Sequence, residues 1–155
     1  MAETTLSSSE TSTLALLLSD VQKQHIAACY AAGTLHVPKS GGGVTVKPEF
    51  KAFALESKLL DVTLMEVGAI SVTGRTDKSG LATADSVYKV TCRIKAGEKE
   101  TDIRLHLCDV VGLLKQGGTG QMSFSNYKAD NGNEYLVPTC VNRASSAEIF
   151  EYINQ

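Results

Sequence analysis

The stretch GQMSFSNYKADNGNEYLVPTC, Gly120 to Cys140, decides how this chain is read. Apolar and polar residues alternate on both sides of Asn131-Gly132. That pair is the preferred one for a two-residue type I′ turn between antiparallel strands. In the register set by such a turn, Met122, Phe124, Val137 and Val141 share one face, and Ser123, Ser125 and Tyr127 share the other. Pro138 cannot donate to a ladder, so the last strand belongs at a sheet edge or carries a bulge.

Upstream, the period of two continues. YKVTCRIK places Tyr88, Val90, Cys92 and Ile94 on one face and Lys89, Thr91, Arg93 and Lys95 on the other. After the turn AGEKE, TDIRLHLC puts Ile103, Leu105 and Leu107 inward and Asp102, Arg104 and His106 outward, which completes a second hairpin. VTLMEVGAISVTGR, from Val62, is a further β-branched strand, followed by the polar loop TDKSGLATAD. DVVGLLKQGG reads as a short helix with Asp109 as cap and Gly117 as stop. SSAEIFEYINQ carries a capping box, Ser145 with Glu148, and reads as a terminal helix.

Before the strands, Leu14, Leu17, Leu18, Val21, His25 and Ala28 recur at helical spacing and form one apolar stripe. Thr11 or Ser12 caps that helix and Gly33 ends it. The stripe requires a cover, either its own domain or a partner subunit. Gly41 to Gly43 lack the GK[ST] ending of a phosphate loop and read as a linker. PEFKAFALESKLL suits a helix opened by Pro48 better than a strand.

The body is therefore strand, strand, strand, short helix, strand, strand. This is the element order of a five-stranded OB-like Greek-key barrel, with its helix between the third and fourth strands. The expected fold is mainly β: a mobile tail over 1–12, a helical extension and glycine linker over 13–60, and the barrel with its short C-terminal helix over 61–155.

RLHLCDVVGLLKQGGTGQMSFSNYKADNGNEYLVPTCV resembles the second half of bacterial single-stranded-DNA-binding proteins. The shared pattern is an outward-basic strand, a short apolar helix with a Lys-x-Gly type stop, a strand, a polar tip and a β-branched strand. AISVTGRTDKSG resembles that family's opening strand and following loop. The resemblance implies binding of single-stranded DNA or RNA, a homo-oligomer, and work in DNA replication or repair. The chain departs from the family in having no Trp, in a tail, EIFEYINQ, that is not the acidic partner-binding tail, and in its long N-terminal extension.

A net charge of −2 excludes a basic field over the whole molecule, so a nucleic-acid site has to be a local patch. Lys89, Arg93, Lys95 and Arg104 alternate with core residues on adjacent strands and supply that patch. Arg75 and Lys128 extend it through loops, as Lys78 and Lys99 also could, and Tyr127 offers a stacking platform, with Tyr135 second. The bland reading of the same residues is a solvated sheet face, weakened further by Glu100 and Asp102.

No catalytic residues, cofactor or metal are expected. His106 and Cys108 on one strand stand about 7 Å apart, too far for a thiol–imidazole bond. The three histidines show no metal spacing. Cys29, Cys92, Cys108 and Cys140 form no CxxC pair and read as reduced core residues. With no secretory leader and no run long enough to span a bilayer, the expected location is cytoplasmic, away from membranes. The competing reading is a protein-interaction or assembly module built from the barrel and the N-terminal helix.

Overall fold

The computed structural model describes residues 20–33, 35, 37–38, 42–73 and 87–153. The expected mobile tail, the Leu14 to Leu18 part of the apolar stripe, and Arg75 and Lys78 lie outside the described residues. The described elements run α1 (Asp20–Ala32), α2 (Pro48–Ser57), β1 (Leu59–Thr73), β2 (Val87–Ala96), β3 (Lys99–His106), α3 (Leu107–Lys115), β4 (Thr119–Lys128), β5 (Glu134–Cys140) and α4 (Ser146–Ile153). The fold is mainly β, one five-stranded antiparallel sheet in the order β3-β2-β1-β4-β5. No ladder joins β3 to β5 among the described residues, so the sheet is open.

β1 is the spine. Leu59 to Thr63 pair with β4, and Thr63 to Thr73 pair with β2. One strand can serve two partners in this way because its register shifts between Leu64 and Glu66 and again between Val67 and Ile70. Such bulges bend a strand and increase its twist. Gly68 sits beside the second shift, where a Cβ would lie 3.0 Å from the Thr91 carbonyl oxygen. The absent side chain lets β1 and β2 stay paired through the bend.

The inner face of the curled sheet presents Val62, Leu64, Tyr88, Val90, Cys92, Ile94, Ile103, Leu105, Met122, Phe124, Leu136 and Cys140, all buried. Every residue from Leu107 to Leu114 in α3 is buried too, and α3 contacts all five strands. A helix that is apolar all round belongs in an interior. It starts one residue after β3 ends and stops in a Schellman motif. Gly118 N donates to Leu113 O and Gly117 N to Leu114 O, with Gly117 at φ +80°. Gly117 is thus the stop expected. The expected cap is not: the N-cap is His106, and Asp109 lies inside the first turn, buried.

The β4–β5 hairpin exists, but its turn differs from the sequence reading. Lys128 pairs with Glu134, and Ala129 N donates to Asn133 O, leaving a three-residue loop, Asp130 to Gly132. Gly132 N closes the turn on Ala129 O, and Gly132 alone has positive φ, +89°. This is the three-residue loop with glycine in the left-handed position. Asn131 Oδ1 accepts from Asn133 N, which holds the bend. The extra residue slips β5 by one, so each of its side chains changes face. Leu136, Pro138 and Cys140 point inward, while Val137 and Val141 join Ser125 and Tyr127 outside. Pro138 is tolerated because β5 is an edge strand.

The extension packs on the sheet's own helices. The ring of Tyr30 stacks on Phe150 of α4, 4.7 Å between centroids, and Ile26 is fully buried. The face that packs is the one holding Ile26 and Tyr30. Val21 and Ala28 of the expected stripe are exposed. The Tyr30–Phe150 stack selects that face of α1, which a count of apolar spacing could not reveal. Gly33, at φ +75°, closes α1 by donating to Tyr30 O. The 48–57 segment is helical, with Pro48 in its first turn and Phe50 against Phe124. The terminal capping box also forms: Glu148 N donates to Ser145 Oγ and Ser145 N to Glu148 Oε1.

Candidate nucleic-acid interface

β2 and β3 face each other with Lys89 opposite His106, Thr91 opposite Arg104, Arg93 opposite Asp102 and Lys95 opposite Glu100. The strand period places the long cations outward, as their alternation requires. Their charges are not equally available. Arg93 donates from Nε to Asp102 Oδ1 at 3.1 Å and lies 3.8 Å from Glu66. The hydrogen bond to Asp102 and the nearby carboxylates favour its charged guanidinium and offset part of its field. Lys95 stands in register with Glu100 and Thr63.

Lys89 and Arg104 are different. Arg104 donates to Ser71 Oγ at 3.0 Å, and Ser71 is the β1 partner of Lys89. The two cations and residues Gly43, Val44 and Thr45 line one cleft of about 290 Å³, which has no acidic residue in its lining. Lys89 is half-buried, and burial first, then the neighbouring Arg104 charge, lowers its pKa from the usual lysine value. An anion placed between the two groups relieves both effects at once.

The structure does not bring Tyr127 and Lys128 to this cleft. β1 pairs with β4 only between Thr119 and Ser123, so the far end of β4 extends beyond the sheet's spine. There Tyr127 pairs with Tyr135 and is 52% exposed. Tyr135 packs against Gly43, a residue of the cleft lining: a Cβ on Gly43 would lie 3.0 Å from Tyr135 Cβ. The second-choice tyrosine is therefore the one that touches a residue of the cleft lining, and the one-residue slip that turned β5 over sets it opposite Tyr127. Arg75 lies outside the described residues.

His106 was expected on the outer, solvated face. It is buried. Residues of the extension cover it: Leu35 and Pro38 share a small cavity with His106, and a Cβ on Gly42 would sit 3.0 Å from His106 Nε2. The strand spacing between His106 and Cys108 also fails, because the chain turns into α3 at Leu107. The donor atoms of His106, Cys108 and Asp109 then lie within 4.8 Å of one another.

A cation already serves this cluster. Arg143 donates from Nε to Asp109 Oδ1 at 2.7 Å, from a terminal nitrogen to Cys108 Sγ at 3.0 Å, and also to the Pro38 carbonyl. Cys140 N gives Asp109 a further bond at 3.0 Å. Burial, then the Asp109 charge, pushes the Cys108 thiol up to about 12. A thiol in that state is a poor nucleophile. Burial pushes Cys92 up to about 12 as well. In the native protein at pH 8, an aromatic disulfide reagent should label Cys29 alone at once, because it is the one cysteine that is not buried. Unfolding should release three more thiols; prompt reaction of all four would contradict this burial.

Sequence reading missed Arg143 and the Gly42 to Thr45 segment. The available signal was Asp109, a lone carboxylate in an apolar helix, which requires a buried partner. Nothing in the spacing identified that partner, 34 residues away. No candidate membrane-spanning helix occurs among the described residues. Comparison with known proteins finds no matching family model, curated protein or solved structure.

Proposed function

We propose that this protein binds single-stranded DNA without sequence preference and without catalysis, as an OB-like barrel whose contact point is the Lys89–Arg104 cleft. The observation that carries this reading is the convergence of two cations in a cleft with no acidic lining. A phosphate track needs such un-neutralised charge, and the release of counterions from the strand supplies the affinity. Supporting it, the order β3-β2-β1-β4-β5 with α3 against every strand is that of an OB barrel along its open seam. Tyr135 and Tyr127 stand in line on the outer face of the hairpin, where bases can stack, each for about 1–3 kcal/mol. Lys95, on the same outward face of β2, extends the track.

The test is anisotropy of a labelled oligo-dT of about thirty nucleotides, longer than the roughly 4–16 that one OB fold covers. It is titrated at two salt concentrations against an RNA strand and a duplex. Lys89→Glu with Arg104→Glu should lower affinity about 30-fold or more. It should also flatten the salt slope by about 1.4, two phosphate contacts at roughly 0.7 each. Arg93→Ala should change affinity by less than about threefold, since Asp102 and Glu66 already hold that charge. Equal effects of the two substitutions would remove the cleft from the reading.

A second reading, an assembly module acting as a homo-oligomer, rests on exposed Leu59 and Val141. Both lie on the outer face, opposite Ser123 and next to Gln121 respectively. Sedimentation of wild type against Leu59→Asp with Val141→Asp separates the readings. A shift to monomer with oligo-dT binding unchanged would favour assembly through that face.

A further inference from the structure

Where a closed barrel would join β3 to β5, this protein places residues of its own extension. Val44 N donates to Leu136 O at 2.8 Å and Leu136 N to Val44 O at 3.2 Å, one isolated antiparallel bridge on the free edge of β5. Gly42 lies against the other side of the seam, where an added Cβ would sit 3.1 Å from Lys89 Nζ. Gly43 lies as close to Tyr135. At both glycines a side chain would crowd the groups assigned to the nucleic-acid site; the Lys89 ammonium can swing aside, whereas the Tyr135 Cβ is fixed to its backbone. The segment is held at either side by stronger contacts: Pro38 O accepts from Arg143, and Phe50 is fully buried. Between these anchors the described attachment to β5 is a single residue pair.

Resting on the nucleic-acid reading above, we propose that residues 42–46 form a displaceable strap that occupies the barrel seam and competes with single-stranded nucleic acid for Lys89 and Tyr135. In the free protein the strap satisfies the Leu136 backbone groups and shields the seam. A strand enters by breaking the Val44–Leu136 bridge. Its phosphates then take the place of the glycine backbone over Lys89, and a base takes the place of Gly43 over Tyr135. Phosphate contact also returns Lys89 to a charge-favouring setting, the reverse of its present burial beside Arg104. The anchors at Pro38 and Phe50 keep this opening local; its cost is the exposure of Val44, which is buried at the edge of the core, and of Val46, which packs against it.

The strap makes affinity depend on the open fraction, since apparent affinity falls in proportion to the competent population. Gly43→Val adds a Cβ 3.0 Å from Tyr135 Cβ, with two methyls beyond it, and should tilt the strap toward its open state. With a closed population of about 90%, the expected gain in oligo-dT affinity is about tenfold, with the thermal transition still cooperative. Unchanged or weaker binding by Gly43→Val overturns the strap. If Arg104→Glu still weakens wild-type binding in that case, the cleft reading stands without it. No binding by wild type or by Gly43→Val overturns both.

Should Gly43→Val not fold, a lock gives the same decision. Val44 and Leu136 exchange both backbone hydrogen bonds, so their Cα atoms stand about 5.5 Å apart, within disulfide reach. In Val44→Cys with Leu136→Cys, the oxidised protein should bind oligo-dT at least about tenfold more weakly than the same protein reduced. Wild type treated with the same oxidant controls for Cys29. Equal binding in the two redox states overturns the inference.

Discussion

Arg143→Ala should cost about 3–5 kcal/mol of stability, the penalty for leaving a buried carboxylate without its partner. Asp109 is fully buried, and Arg143 meets it from Nε at 2.7 Å while also reaching Cys108 and Pro38. The loss therefore ties α3, the chain after β5 and the extension together. Denaturant titration of the two proteins measures it. The effect has a pH signature. Burial, opposed by the bonds from Arg143 and Cys140 N, raises the Asp109 carboxyl above its usual value near 4. A carboxyl raised on folding contributes fully when protonated, below its unfolded pKa, and that contribution is lost as pH rises through the folded pKa. Without Arg143 the folded pKa rises further and the loss deepens. The deficit of Arg143→Ala against wild type should thus be greatest at neutral pH and shrink toward pH 4. Asp109→Asn in the Arg143→Ala background should recover part of it. A deficit independent of pH would mean that Arg143 acts through packing alone.

Gly112→Ala should cost about 3 kcal/mol or prevent folding, although alanine favours a helix interior by about 1 kcal/mol. A Cβ at position 112 would lie 2.5 Å from the Asn142 carbonyl oxygen and 3.2 Å from Arg143 Cα. Both obstacles are backbone, so neither can rotate away, and α3 would have to lift from the chain that carries Arg143. Thermal unfolding decides the matter. A melting temperature at or above that of wild type would show that α3 does not press on residues 142–143. Gly117→Ala is the contrast: its surroundings are open, and only its left-handed φ carries a cost, about 1–2 kcal/mol.

These two substitutions strike one joint. α3 rests on the segment from Cys140 to Ala144, with Cys140 N on Asp109 and Ala144 N on Cys108 O. The same joint, through Arg143 and Pro38, anchors one side of the seam where the candidate interface lies. Stability there and access to the Lys89–Arg104 cleft are therefore neighbours in space. Binding measurements on Arg143 variants need a parallel stability measurement for that reason.

Alternation was enough to place five strands, because a half-buried strand writes its burial into a period of two, while the Gly117 stop and the Ser145–Glu148 capping box placed the short helix and the terminal one. The outward cations of β2 were legible for the same reason. The number of residues in the β4–β5 turn was not, since Asn131-Gly132 serves a two-residue and a three-residue loop alike; long-range pairing chose the latter and so decided which face of β5 is inside. Which cations remain available depended on cross-strand partners: Arg93 meets Asp102 and Glu66, whereas Lys89 and Arg104 share a cleft without acids. The partner of Asp109, the face of α1 that packs and the course of residues 42–46 through the seam were likewise tertiary outcomes. Each joins groups far apart along the chain, and local periodicity carries no record of distance across it.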